Sequence, residues 1–198
     1  MQLKEMATIR SGLVLSRKFS REPTKFKYQS LNLRCITKRG HIDNKLLDVY
    51  YAKERLGAEY LTQKGDIIIR LSSPYTAILI ERETEGLVIS SNFAIIRVDK
   101  EQLSQGYLHW LINTPKVKRK IFQNTSSNML GAVKPKFFTE FEIDMISLEE
   151  QQKIAILNQL AQQECQLLWK LAEEKEKYYA LIINDVQCNM RKERKYDN

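Results

Sequence analysis

Asp66 and Glu81 are the carboxylates that come nearest to a metal-dependent phosphodiesterase, because cleaving a phosphodiester draws on oxygen ligands for Mg. Glu81 is followed by Arg82-Glu83, without the neighbouring lysine that such sites commonly use. The 2 histidines, His41 and His109, lie far apart. Neither belongs to HExxH, or to HxE followed by paired cysteines, so a zinc hydrolase or zinc deaminase has no visible ligands. His109, followed by Trp110 in an apolar stretch, reads as a packing residue. The 7 glycines never take the spacing of a dinucleotide fingerprint or a phosphate-cradling P-loop, which removes the common nucleotide engines. Cys35, Cys165 and Cys188 are odd in number and widely separated, offering neither a disulfide framework nor a CxxC knuckle; reduced, mostly buried thiols are expected.

What remains is positive charge. With 32 Lys plus Arg against 24 Asp plus Glu, the chain carries +8, which favours a polyanionic partner. The excess is uneven: residues 1–148 hold 24 basic and 15 acidic side chains, residues 149–198 hold 8 and 9. Arg17, Lys18, Arg21, Lys25 and Lys27 crowd one short stretch, interleaved with Phe19, Phe26 and Tyr28. This is either a footprint for phosphates, with aromatics to pack or stack, or a solvated loop flanking a strand. Lys116, Lys118, Arg119 and Lys120 form a second cluster on one face of a helical stretch, where a charge run is usually a solvated face.

The elements that would position these groups fall into two parts. In residues 1–148, Leu3–Arg10 is a short amphipathic element ended by Ser11-Gly12, and Tyr28–Thr37 alternates as a strand. Asp66–Leu71, Thr76–Ile80 and Leu87–Val98 continue the β pattern, rich in β-branched residues. Gln105–Asn113 and Pro115–Phe122 follow helical spacing, and Phe137–Ile146 reads as a last strand. From Glu149 to Met190 there is neither Pro nor Gly. There Ile154, Leu157, Ala161, Leu168, Leu171, Tyr178 and Ile182 keep a three-four spacing consistent with a heptad seam, on a helix of about 60 Å. Leu160, Leu167, Trp169, Leu181 and Ile183 widen that stripe, so the helix needs a partner on more than one side. Residues 191–198 form a charged tail. With no signal peptide and no stretch of apolar residues long enough to span a bilayer, a cytoplasmic protein is expected.

This order of pieces resembles a known family. Leu3–Gly12, the run Tyr60-Leu-Thr-Gln-Lys-Gly-Asp-Ile-Ile-Ile-Arg70, Leu87–Arg97, Tyr107-Leu-His-Trp-Leu111, the Gly131 loop and Leu148-Glu-Glu-Gln-Gln-Lys-Ile-Ala155 together look like the specificity subunit of type I restriction-modification systems. Where that family commonly has prolines before the Glu-Gln segment, this chain has Met145-Ile-Ser147. Family members usually carry two target-recognition domains and two conserved helices, and this chain has one of each, so it resembles a half-size form.

The resemblance implies an α+β architecture. A mixed, strand-rich target-recognition domain (1–148) is followed by a spacer helix (149–190) that pairs as an antiparallel coiled coil, with a copy of itself or with a related half subunit. It further implies a non-catalytic reader of double-stranded DNA that directs methyltransferase and motor-nuclease subunits to a bipartite site. S-adenosylmethionine, ATP and Mg belong to those partners, and no cofactor to this chain. The polar turns most able to reach a groove are then Ser11-Gly12, Arg70 to Tyr75 with Ser72 and Ser73, and Ser126, Ser127 and Asn128 onward to Lys134 and Lys136. Arg17, Lys18, Arg21, Lys25 and Lys27 supply charge nearby. Lysines hold phosphates as point charges, whereas Ser127, Asn128, Arg17 or Arg70 can reach base edges. Two other classes stay open: a stand-alone DNA-processing enzyme such as a nuclease, and a coiled-coil scaffold with an incidental basic domain.

Overall fold

The structure is a computed structural model that describes the backbone of residues 1–37, 40–125 and 131–196, and the side chains of these as far as residue 190. Its strands are β1 (Ala7–Ser11), β2 (Lys27–Leu31), β3 (Asp48–Tyr51), β4 (Ile67–Arg70), β5 (Ala77–Leu79), β6 (Val88–Ile89) and β7 (Phe93–Val98). The helices are α1 (Leu15–Lys18), α2 (Gln105–Asn113), α3 (Pro115–Thr125), α4 (Pro135–Thr139) and α5 (Leu148–Tyr196). The chain divides into two compact units, Met1–Ala155 and Ile156–Asn198. This is the expected strand-rich α+β fold with a long C-terminal helix.

In the first unit, four antiparallel strands in the order β1-β7-β4-β5 form one sheet; a smaller sheet, β3-β2-β6, pairs β2 with β3 antiparallel and with β6 parallel. Alternation along a strand sends successive side chains to opposite faces, yet Ile67, Ile68 and Ile69 of β4 are all fully buried. Both faces of the larger sheet are covered, which is why this strand reads as an unbroken apolar run. On one face Ile67, Ile69, Ala94 and Ile96 meet Leu108 and Ile112 of α2, Val117 and Ile121 of α3 and Phe138 of α4. On the other, Ile68, Phe93 and Ile95 meet Leu31, Cys35 and Ile89. A third cluster, Leu13, Tyr50, Ala52, Leu56 and Val88, fills the smaller sheet's region. Truncating Leu108 to Ala in such a core costs about 2–5 kcal/mol.

The edge strand β5 would leave backbone groups bare. Asn113, at the end of α2, covers them: Ala77 N–H donates to its Oδ1 (3.1 Å) and its Nδ2 donates to Ala77 O (2.9 Å). His109 Nε2 lies 3.2 Å from the same carbonyl.

Several elements differ from the sequence reading. Phe137–Ile146 is not a strand: Pro135 opens the short helix α4, for which its fixed φ suits it, and Phe137, Phe138 and Phe141 then cluster with ring centroids 5.3 and 6.0 Å apart. The Leu87–Val98 run is two strands, β6 and β7, separated by a turn at Ser90 that Phe93 N–H closes onto Ser90 O (3.1 Å). The Tyr28–Thr37 strand stops at Leu31, because the Asn32 side chain accepts from the backbone of Arg34 and Cys35 and starts a 3₁₀ turn. Leu3–Glu5 is a 3₁₀ turn leading into β1. Of the three thiols only Cys35 is buried, whereas Cys165 and Cys188 are exposed on α5.

The start of α5 is fixed by a capping box. Ser147 Oγ accepts from Glu150 N–H (3.3 Å), and the Glu150 carboxylate accepts from Ser147 N–H (3.0 Å) and from its hydroxyl (2.8 Å). Those bonds hold the Glu150 carboxyl below its ordinary range. One residue on, Gln151 is fully buried, accepting from Ser104 N–H (2.8 Å) and donating to Ile146 O (3.0 Å). Gly106 lets α2 approach closely: a Cβ there would lie 2.7 Å from that of Ala155. From Ile156 on, the helix forms the second unit by itself, and its side chains are almost all exposed as far as Met190. Among the described residues no helix is long and apolar enough to cross a membrane.

Candidate nucleic-acid interface

The antiparallel register of the larger sheet gathers one end of each strand. Ser11 pairs with Ala94, Ile69 with Ala94 and Ala77, and Arg70 with Phe93. The turns leaving these residues therefore share one rim, and backbone bonds tie them together. Gly12 N–H donates to Phe93 O (3.0 Å), Ser91 N–H to Leu13 O (2.8 Å) and Leu71 N–H to Asn92 O (3.0 Å). The Gly131 loop joins them, with Val133 N–H donating to Leu71 O (2.8 Å) and Tyr75 Oη–H to Gly131 O (2.9 Å).

The residues singled out in the sequence sort into different roles on this rim. Ser11 is exposed, but Gly12 is buried, and its contribution is absence of a side chain: a Cβ would stand 2.2 Å from Ser90 O. Arg70 is half-buried, and its Nε donates to Ser72 Oγ (3.2 Å), which holds the guanidinium at the rim; Ser73 is exposed. Tyr75 is buried, and its hydroxyl bonds Thr125 Oγ1 (3.0 Å) as well as Gly131 O, so it ties these two residues together. Its backbone takes the left-handed region at φ 54°. Lys134 and Lys136 are exposed, Lys136 pairing with Glu140 at 3.3 Å. A hollow beside them is lined by Lys120, Asn124 and Phe137, with Glu140 and Glu142 also present. Ser126, Ser127 and Asn128 lie outside the described residues.

The basic stretch sits elsewhere, against the smaller sheet: Ser20 N–H donates to Tyr51 O (2.8 Å), Lys53 N–H to Lys18 O (2.9 Å) and Ala52 N–H to Phe26 O (3.0 Å). Tyr50 Oη–H donates to Leu15 O (2.8 Å), linking this stretch back to the Leu13 turn. Arg17, Arg21, Lys25 and Lys27 are exposed, with Lys25 Nζ 5.2 Å from the Phe26 ring centroid. Lys18 is committed to Glu54 (2.7 Å), which raises the pKa of its ammonium, and it lies 5.8 Å from the Tyr60 ring.

The Ser90–Phe93 turn between β6 and β7 was missed by the sequence reading, which took it as strand; Ser-Ser-Asn is a turn signal that marks it. The carboxylate pair considered for metal chemistry is not a pair. Asp66 is buried and accepts from Arg97 Nε (2.8 Å), and Arg97 also donates to the carbonyls of Ala58 (3.1 Å) and Leu61 (2.9 Å), while Glu81 is exposed. Among the described residues no group of three or more His, Cys, Asp or Glu could hold a metal ion.

A basic, rimmed α+β domain followed by a long helix is thus the class of molecule that the geometry defines. Its solved counterparts include the crystal structure of the HsdS subunit from Thermoanaerobacter tengcongensis, at a TM-score of 0.63 and 17% identity over 92% of this chain and 46% of that one. A second is a chain from a study of complex assembly and conformational transition of the type I R-M system, at a TM-score of 0.66 and 16% identity over 89% of this chain and 45% of that one. The fold is therefore shared with type I specificity subunits, in agreement with the resemblance in the sequence. This chain spans about half the length of each of these two structures. No protein-family profile matches the chain, and neither does any curated protein.

Proposed function

We propose that this chain is a DNA-reading specificity subunit of a type I restriction-modification system, supplying one target-recognition domain and one spacer helix. The observation that carries the reading is one of extent. The fold match takes in about nine-tenths of this chain and less than half of the HsdS chain, as one of two repeated halves would. The basic first domain agrees with it, since phosphate neutralisation supplies much of the affinity for DNA.

In this reading the chain has no catalytic step of its own. It places a methyltransferase and a motor-nuclease on a bipartite site in the cytoplasm, and S-adenosylmethionine, ATP and Mg act on those subunits. The exposed apolar side chains of α5, Leu157, Leu160, Leu168, Leu171, Tyr178 and Ile182 among them, form an interface with a second long helix, antiparallel, from another copy or a related half. Ala161 lies on the same seam. Ile154 is half-buried against the first unit's core, so the seam opens at Leu157.

Co-expression of the full chain with the products of neighbouring genes tests this. An adenine methyltransferase that co-purifies, and methylates one defined motif only when this chain is present, is the expected outcome. Methyl transfer or Mg-dependent cleavage by the purified chain alone would overturn it.

A further inference from the structure

Two polar side chains, those of Ser91 and Asn92, stand at the middle of the rim. Ser91 and Asn92 are exposed, and among the described residues neither side chain has a hydrogen-bond partner. Their backbone is nevertheless pinned on three sides: Ser91 N–H on Leu13 O (2.8 Å), Phe93 N–H on Ser90 O (3.1 Å) and Asn92 O on Leu71 N–H (3.0 Å). The strand that follows, β7, lies between β1 and β4, so the turn is flanked by the Gly12 turn on one side and the Arg70–Tyr75 turn on the other. Gly12 lies against it so closely that no Cβ fits between it and Ser90 O. A free Asn on a loose surface loop would be unremarkable. Here the backbone that carries it is fixed by two neighbouring turns, so little ordering remains to be lost when it meets a ligand.

A carboxamide offers one acceptor and a donor group side by side. In the major groove of B-DNA the adenine edge offers the complement, an N6 donor beside an N7 acceptor; guanine offers two acceptors there. We propose that Asn92 is a specificity-determining residue that selects an adenine at one position of the half-site through a bidentate contact in the major groove. The proposal rests on the DNA-reading function above. Arg70, held at the rim by Ser72, and Lys134, one residue beyond the Val133 that bonds Leu71, bring positive charge to the same edge and suit the phosphates on either side of that base.

The test uses the full chain assembled with its methyltransferase, wild type and Asn92→Ala, on duplexes in which each position of the methylated motif is varied. Asn92→Ala is expected to lose about tenfold to hundredfold of the discrimination at one adenine position, with preference elsewhere and the melting temperature unchanged. A second measurement needs no variant. Replacing that adenine by 7-deazaadenine, which removes the N7 acceptor, weakens wild-type binding and leaves Asn92→Ala binding unchanged. Wild-type tolerance of 7-deazaadenine at every adenine overturns the proposal, even if Asn92→Ala fails to fold. Unaltered preference in a folded Asn92→Ala does the same, as does loss of the methyltransferase without altered preference, which would put Asn92 at a protein interface. A wild-type complex without sequence preference removes the DNA-reading function and this proposal together; a motif that Asn92→Ala leaves unchanged at every position removes the proposal alone.

Discussion

His109 shows how a residue type with catalytic potential is spent on architecture. Its ring is buried against β5, and burial is the largest influence on it, pulling its pKa below the ordinary 6.5; His41 and Lys118 act in the same direction, and the contact with Ala77 O opposes them. The neutral ring donates Nε2–H to that carbonyl. Above pH 6.5 both folded and unfolded chains hold a neutral imidazole, and the contribution is fully present; as pH falls below that value, the unfolded chain takes up a proton that the folded one resists, and stability declines. Urea denaturation at pH 7.5 and at about pH 5 should show a smaller acid-side loss for His109→Gln than for wild type, and equal losses would refute the assignment. The packing role of this histidine was legible in its apolar neighbours. That it also closes an edge strand was not, because the partner carbonyl lies 32 residues away in the chain.

At the scale of elements, the first turns of α5 belong to the domain as much as to the helix. The Glu-Glu-Gln segment carries the family resemblance, and the structure gives two of its residues physical work: Glu150 completes the cap on Ser147, and Gln151 bridges Ser104 N–H and Ile146 O inside the core. Gln151→Ala leaves a part-buried N–H and a part-buried carbonyl without this partner, a loss of about 1–3 kcal/mol, whereas the same change at the exposed Gln152 is expected to be near neutral. Thermal unfolding of the two variants separates them, and equal melting temperatures would mean that the bridge carries no weight. The Ser-x-x-Glu pattern at 147–150 was available in the sequence as a helix start, and so was the Ser-Ser-Asn turn. The failures came where one pattern served two structures. Phe137, Phe138 and Phe141 satisfy a strand reading when taken with Ile143, yet their spacing of three and four with Pro135 is that of a helical turn. Likewise β6 and most of β7 are apolar, and together they resemble one strand running across the polar Ser-Ser-Asn that in fact breaks it.

At the scale of the whole molecule, composition and periodicity disclosed a basic domain and an over-apolar helix, and only the resemblance offered a function that joins them. The polar rim is assembled from turns at Gly12, Leu71 and Asn92 that no local pattern connects; only the sheet register brings them together. On α5, Ile154 is taken by the domain, while Leu168 is 59% exposed and Leu157 67% exposed, a state of affairs that water disfavours at about 25 cal/mol per Å² of apolar surface. A second helix across this seam should make the chain dimeric at micromolar concentration in sedimentation, and Leu168→Glu, which would bury a charge, should return it to monomer; a wild-type monomer indifferent to that change would remove the pairing. If the partner is a second copy running antiparallel, the two target-recognition domains are related by a two-fold axis, and an isologous pair presents the same reading edge to each half of its site. Each half must then carry the same bases in inverted order, around a spacer whose length the paired helices set and whose sequence nothing reads. Methylome sequencing of a host in which this chain is the sole specificity component should return such an interrupted inverted repeat. An asymmetric or uninterrupted motif would exclude the homodimer, and an asymmetric one that appears only on adding a related chain would identify that chain as the other half.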